Sequence, residues 1–410
     1  MKKAHRWKKW TLLVGVCTAA AVLVGIALEL NRTRAAEREI AVEVARIHAA
    51  GFPMTLTELQ RPGQENAVAI YQSAMRLRKL GAASSTVLAE VTRASKVPYC
   101  LYEDLHRGTF HDWYLQMKDL MELVLKTADL KAKSNDFRSA FNWLEVARAM
   151  VTHMRQPIEV GLVYGLNLEM SLLFELQKQT RSYSGRPEFV DGARKLLGEI
   201  GAPPSLKATI SGQIISARWW LREFDSGRDP NTVMRMLSDD EKGSLFALKF
   251  ASVRRRVELR LLTRYRRLID ELPSNASQLN STLSVAKKIN QEFHDESTVV
   301  NRLSSLFCGA EDIVVEGILR LEAMRRVTRT GLELFAYRAQ TGSFPKSLDT
   351  IKPDALDPFT GQPLRYYVVP DGIDLYSVGS DHLSRVESRK NSLRGRATGD
   401  DISFFRPHPQ

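Results

Sequence analysis

Cysteine occurs 3 times in 410 residues, at Cys17, Cys100 and Cys308, and no two of them form a C-x-x-C pair. That scarcity excludes a disulfide-stapled mini-fold, a zinc ribbon and a thioredoxin-like redox motif. The G-x-S-x-G nucleophile elbow, the phosphate-cradling P-loop and the H-E-x-x-H zinc helix are also missing. Each of those chemistries needs its residues close together in the chain, so an enzyme here would have to assemble its site from distant positions. Glycine and proline, 24 and 16 residues, are too thinly spread for a disordered or fibrous chain. A composition that is 44% hydrophobic and 26% charged belongs to a folded protein, long enough for two or three domains.

Charge is unevenly placed. The formal net charge is +12, and the opening MKKAHRWKKW alone contributes Lys2, Lys3, Arg6, Lys8 and Lys9. The remainder is mildly basic, which argues against a nucleic-acid partner. TLLVGVCTAAAVLVGIAL follows, 18 residues without a charge. A helix over residues 10–30 is expected to span a bilayer, with Trp10 at one interface and the basic end in the cytoplasm. A cleaved signal peptide ending near Ala19, Ala20 and Ala21 is the competing expectation, and the apolar run that continues beyond them favours an uncleaved anchor. This places a single-pass protein in a bacterial cytoplasmic membrane, its bulk outside the cytoplasm.

The body predicts helix after helix. Residues 35–49 lack breakers and end at Gly51 and Pro53, and apolar positions at helical spacing recur over 112–132, 137–154, 157–179, 187–200, 204–224 and 241–272. No fixed repeat length emerges, so the expectation is a bundle or an irregular solenoid. The organisation expected is anchor 1–34, helical body 35–310 and terminal module 311–410. The most basic helix, SVRRRVELRLLTRYRRLIDEL, brings Arg256, Arg260, Arg264 and Arg267 to one side. Guanidinium groups in that row can take phosphate or carboxylate, although a solvated outer face interleaved with Glu258, Asp270 and Glu271 explains them more simply. Cys100 and Cys308 can pair in an oxidising compartment if folding brings them together; two buried thiols are the plainer reading. His106 and His111 miss helical ligand spacing, and His153, near a helix end, reads as a solvated or hydrogen-bonded residue rather than a ligand.

After residue 342 the pattern changes. Strands are expected over 364–369 and 373–378, joined by Pro370, Asp371 and Gly372, after an ordered turn at Asp357, Pro358, Thr360 and Gly361. LELFAYRAQTGSFPKSLDTI, DPFTGQPLRYY, DLYSVGSD and GDDISF, spread over residues 332–405, resemble the C-terminal region of the major pseudopilin of type II secretion systems. The resemblance implies a long helix covering a small antiparallel sheet. It also implies calcium, held by Asp381 with Asp400 and Asp401 and aided by carbonyls near Tyr376 or Ser377; hard oxygen ligands suit that ion. Turn caps and salt bridges with the basic HLSRVESRKNSLRGRAT stretch are the alternative use of those acids. The chain departs from the family at its start, which lacks the processing junction and the early membrane glutamate.

These features together predict a mainly α protein with an N-terminal transmembrane helix, a multi-helical body and a small C-terminal α+β, pseudopilin-like head. The function they favour is a membrane-anchored extracytoplasmic scaffold or adaptor with an envelope or secretion partner. A membrane-tethered hydrolase is the alternative, and no small-molecule substrate is indicated.

Overall fold

A computed structural model describes residues 2–102, 110–201, 205–225, 246–273, 278–293, 298–306, 311–351, 356–369, 372–379 and 402–403, with the side chains of the first helix from Cys17 onward. The chain divides into two compact units. One holds residues 1–55, 214–271 and 288–309, the other 56–213, 272–287 and 310–410.

In the first unit, helix α1 (Lys2–Ala49) runs unbroken for 48 residues. Its second half buries Ala36, Ile40 and Ile47 on one face, a helical spacing that packs it against α10 (Ala251–Glu271). Glu29 reaches the start of α10, where its carboxylate accepts from the Ser252 amide at 3.0 Å and the Ser252 hydroxyl at 2.6 Å. A carboxylate there satisfies an orphan N–H and complements the helix dipole. The Ser252 hydroxyl bond, above all, holds the Glu29 carboxyl below its ordinary range.

This arrangement overturns the expected membrane span. Among the described residues no helix is long and apolar enough to cross a membrane. The uncharged run ends at Leu28 and is followed at once by Glu29, Arg32 and Arg34. The single-pass topology, the bacterial membrane location, the membrane and envelope partnership, the membrane-anchored adaptor and the membrane-tethered hydrolase all rested on that span and are withdrawn with it.

The second unit is built from helical pairs: α3 (Ala67–Lys79) with α4 (Ser84–Ser95), α5 (Phe110–Lys133) with α6 (Phe137–Met154), and α7 (Glu159–Tyr183) with α8 (Pro187–Glu199). A one-turn α2 (Leu56–Leu59) precedes them. Local chemistry sets the corners. The Asp136 side chain accepts from Ser139 N and caps α6, Asn135 takes the left-handed conformation with φ 59° before it, and Pro187 opens α8, where its missing N–H costs nothing. Helix α9 (Lys207–Asp225), α11 (Leu279–Phe293) and α12 (Val299–Leu306) complete the described helices before α13 (Glu311–Thr341).

Helix α13 packs on α7 and α8 and then covers the terminal sheet. Strands β1 (Arg365–Val369) and β2 (Gly372–Ser377) form an antiparallel hairpin with Tyr366 opposite Leu375 and Val368 opposite Ile373, and β3 (Ile402–Ser403) adds two residues beside β2. Val327, Leu334 and Phe335 of the helix meet Leu364, Ile373 and Leu375 in one cluster. The buried Asp357 carboxylate accepts from Phe359 N, Ser377 Oγ and Val378 N, each at 2.9 Å, and ties the preceding turn to the end of β2. The result is a mainly helical fold with a small, open sheet at its C-terminal end.

Candidate functional site

Within the second unit, α4 buries Val87, Leu88, Val91 and Ala94. That face commitment turns Thr92, Ser95 and the following Lys96 the other way. Helix α6 buries Ala140, Leu144, Ala147 and Met150, which leaves Asn142, Trp143, Glu145 and Arg148 along its outer side. Where the two helices pack, these two polar edges flank a groove of about 460 Å³, with Val146 and Ala149 supplying apolar wall. Its size falls in the range of ligand sites, roughly 300–1,000 Å³.

The hydrogen bonds show which groups are already used. Thr92 Oγ1 donates to Leu88 O and Ser95 Oγ to Thr92 O, both at 2.8 Å, so each hydroxyl has spent its proton and keeps acceptor lone pairs. Arg148 Nε donates to Glu145 Oε2 at 2.6 Å, and Arg148 Nη2 lies 3.5 Å from Glu199 Oε2 on α8. Burial pushes the Glu145 carboxyl above its ordinary range; Arg148 pulls it back, and the neighbouring Glu199 carboxyl pushes it further up. Lys96, Asn142 and Trp143, by contrast, make no side-chain hydrogen bond or ion pair within the described residues. An ammonium, an amide and an indole N–H therefore stand available at the groove, beside a half-buried aromatic face.

This is binding chemistry. The carboxyl pair is clamped by a guanidinium. Among the described residues no group of three histidine, cysteine or acidic side chains is placed to hold a metal ion.

The residues singled out from the sequence lie elsewhere. Asp381, Asp400 and Asp401 are outside the described residues, as are Cys308 and His106. Among the described residues Cys100 has no disulfide partner. The arginine row of α10 divides in the first unit. Arg256 is exposed and donates to Ser252 O; Arg260 lies over the Phe293 ring at 4.7 Å. Arg267 pairs with Glu271 at 2.8 Å and also bonds Glu292. Arg264 is 1% exposed and donates to Asn290 on α11, so it is no part of a solvated outer face. His111 meets the Tyr164 hydroxyl at 2.6 Å.

His153 is buried, not solvated. Its Nε2–H donates to Val97 O at 2.9 Å and its Nδ1 accepts from the Tyr71 hydroxyl at 3.0 Å. The groove residues gave one sequence signal, an asparagine and a tryptophan side by side on the polar flank of an otherwise regular amphipathic helix.

No family model, curated protein or solved structure matches the chain.

Proposed function

We propose that the second unit is a helical binding module that holds a short segment of a partner molecule in the groove between α4 and α6. One observation carries this: Lys96, Asn142 and Trp143 converge on a 460 Å³ groove with their polar groups uncommitted, while the surrounding charges are already paired. Paired helices keep such a groove open because each helix satisfies its own backbone and needs no third element there. A half-buried tryptophan beside polar donors is the composition of an interaction anchor.

The test is site-directed photo-cross-linking in the cells that make the protein, with a benzophenone amino acid at position 142. A second protein carries it at Leu130, which is 56% exposed on α5 and away from the groove. The expected result is one reproducible adduct from position 142, lost when Ala149→Trp fills the groove in a protein of unchanged melting temperature. Equal adducts from both positions, or an adduct indifferent to Ala149→Trp, would overturn the assignment.

We also infer that the terminal helix and sheet form a pseudopilin-like head. The order of elements supports this: a long helix closed at Gly342, the Asp357 turn and then an antiparallel hairpin. The likeness concerns fold, and a shared fold does not carry a shared function.

A further inference from the structure

We propose that the α4–α6 groove recognises a peptide through a carboxylate, with Lys96 as the group that reads it. The proposal rests on the groove being a binding site and names what it binds.

Charge decides the sign of the ligand. Three ionisable side chains line the groove; Glu145 and Arg148 pair with each other, and Glu199 beside them is balanced by Lys195 at 3.8 Å. The nearest cation on the same helix edge, Arg93, is engaged by Glu90 at 3.0 Å. Among the described residues lining the groove Lys96 alone keeps an uncompensated charge, so an anionic group is favoured beside it and a cationic one is not. Number and shape decide between anions. Phosphate recognition leans on forked guanidinium groups or several cations, whereas one ammonium flanked by neutral N–H donors matches a singly charged carboxylate. Asn142 and the Trp143 indole supply those neutral donors.

The α4 edge explains why the carboxylate belongs to a peptide. Thr92 and Ser95 present hydroxyl oxygens whose protons point into α4, so they can only accept from the groove. A peptide offers them its backbone N–H groups. Between the two edges, Trp143, Val146 and Ala149 give an apolar floor for a side chain. Neutral donors on the α6 edge, hydroxyl acceptors on the α4 edge with Lys96 at its end, and an apolar strip between the two are complementary to a short extended chain that ends in a carboxylate.

The experiment uses the full chain with 5-fluorotryptophan incorporated, the Trp143 resonance being assigned by its loss in Trp143→Phe. Three probes are titrated: a pool of random tetrapeptides with free C-termini, the same pool amidated at the C-terminus, and inorganic phosphate. The free-acid pool should move the Trp143 resonance at an apparent concentration at least tenfold below the amidated pool. Lys96→Met should remove that advantage, while Arg93→Met, one turn away on the same helix, should keep it. Both lysine and arginine sites are exposed, and unchanged melting temperatures would verify that neither change unfolds the protein.

Equal action of the two pools overturns the carboxylate assignment, as does an unaltered response in Lys96→Met. Inorganic phosphate acting at lower concentration than the free acids would replace carboxylate by phosphate. If neither pool moves the resonance the ligand class fails, and whether the groove binds anything is then decided separately by the cross-link at position 142.

Discussion

Glu169 on α7 and Arg325 on α13 form a two-pronged ion pair in the core, Nε to Oε1 at 2.6 Å and Nη2 to Oε2 at 3.0 Å, with Glu169 1% and Arg325 5% exposed. Arg155 joins the same carboxylate from just beyond α6, and Arg325 also donates to Gly201 O at 3.0 Å. Three segments of the second unit are thus held at one acid. Next to it, Gln177 of α7 donates to Thr328 Oγ1 of α13 at 2.7 Å.

Removing one partner strands a buried charge. Glu169→Ala should lower the unfolding free energy by about 3–5 kcal/mol. The double change Glu169→Met with Arg325→Met should recover part of that loss, because it removes both deeply buried charges and leaves only the partly buried Arg155 without its carboxylate. Guanidinium unfolding of the three proteins followed by circular dichroism decides it; a single mutant as stable as the parent would refute the role given to Glu169.

His153 makes stability depend on pH. Burial lowers its pKa from the ordinary 6.5, and the Val97 carbonyl bond only partly opposes that. Above about pH 6.5 the imidazole is neutral in both folded and unfolded chains and contributes no slope. As pH falls below that value the unfolded chain takes up the proton first, so stability is lost through the lower folded pKa. Urea midpoints between pH 7.5 and 5 should decline less steeply in His153→Gln than in the parent. Parallel declines would show that other groups are responsible.

Two glycines in helices should answer alanine with opposite signs. A Cβ on Gly212 of α9 would run into Pro157 O and lie 2.5 Å from Ile158 Cγ2, and the backbone atom cannot step aside cheaply. Gly212→Ala should cost about 1–3 kcal/mol or more by overpacking. Gly198 of α8 has open space where the Cβ would go, and Gly198→Ala should gain roughly 0.5–1 kcal/mol of helix propensity. Thermal melts of the two variants, compared with the parent, measure both; a stabilised Gly212→Ala would refute the close approach of Pro157 to α9.

Burial pushes the Cys100 thiol up to about 12, which leaves almost no thiolate, the reactive form, near neutral pH. Cys17 is exposed. Brief iodoacetamide treatment at pH 8 should therefore label Cys17 and spare Cys100 until denaturant is added, as read by peptide mass mapping. The same map made without reductant examines the pairing with Cys308: a linked peptide would show that Cys100 is no free thiol.

Elements governed by neighbours in the chain were legible without the structure. Helix α6 spans the very residues its spacing predicts, 137–154, because Asp136 caps it and its apolar positions lie on one face. The β1–β2 hairpin falls within a residue of its expected strands, since branched and aromatic runs flank a proline, aspartate and glycine reversal. Where the outcome hung on a distant partner, legibility ended. Residues 10–30 were expected as a membrane anchor continuing into the helix over 35–49; the continuous helix is there, yet its Glu29 caps α10, more than two hundred residues away. Arg264 shares a helical row with Arg256 and Arg267, and it takes partners from outside its own helix, Asn290 among them, to make its burial tolerable. Of the groove, neither the place nor the residues stood out, because Lys96 and Trp143 sit on different helices, each on an ordinary polar edge.

The amino-acid order by itself determined where helices start and stop, which faces are apolar and where the chain turns to strand, since caps, spacing and turn residues act over a few positions. Only the tertiary structure decided which charges are spent and which remain available. A side chain's partner is chosen by whichever helix packs beside it, and that choice leaves Lys96 without a counter-charge among the described residues while Arg148, on the facing helix, already has one.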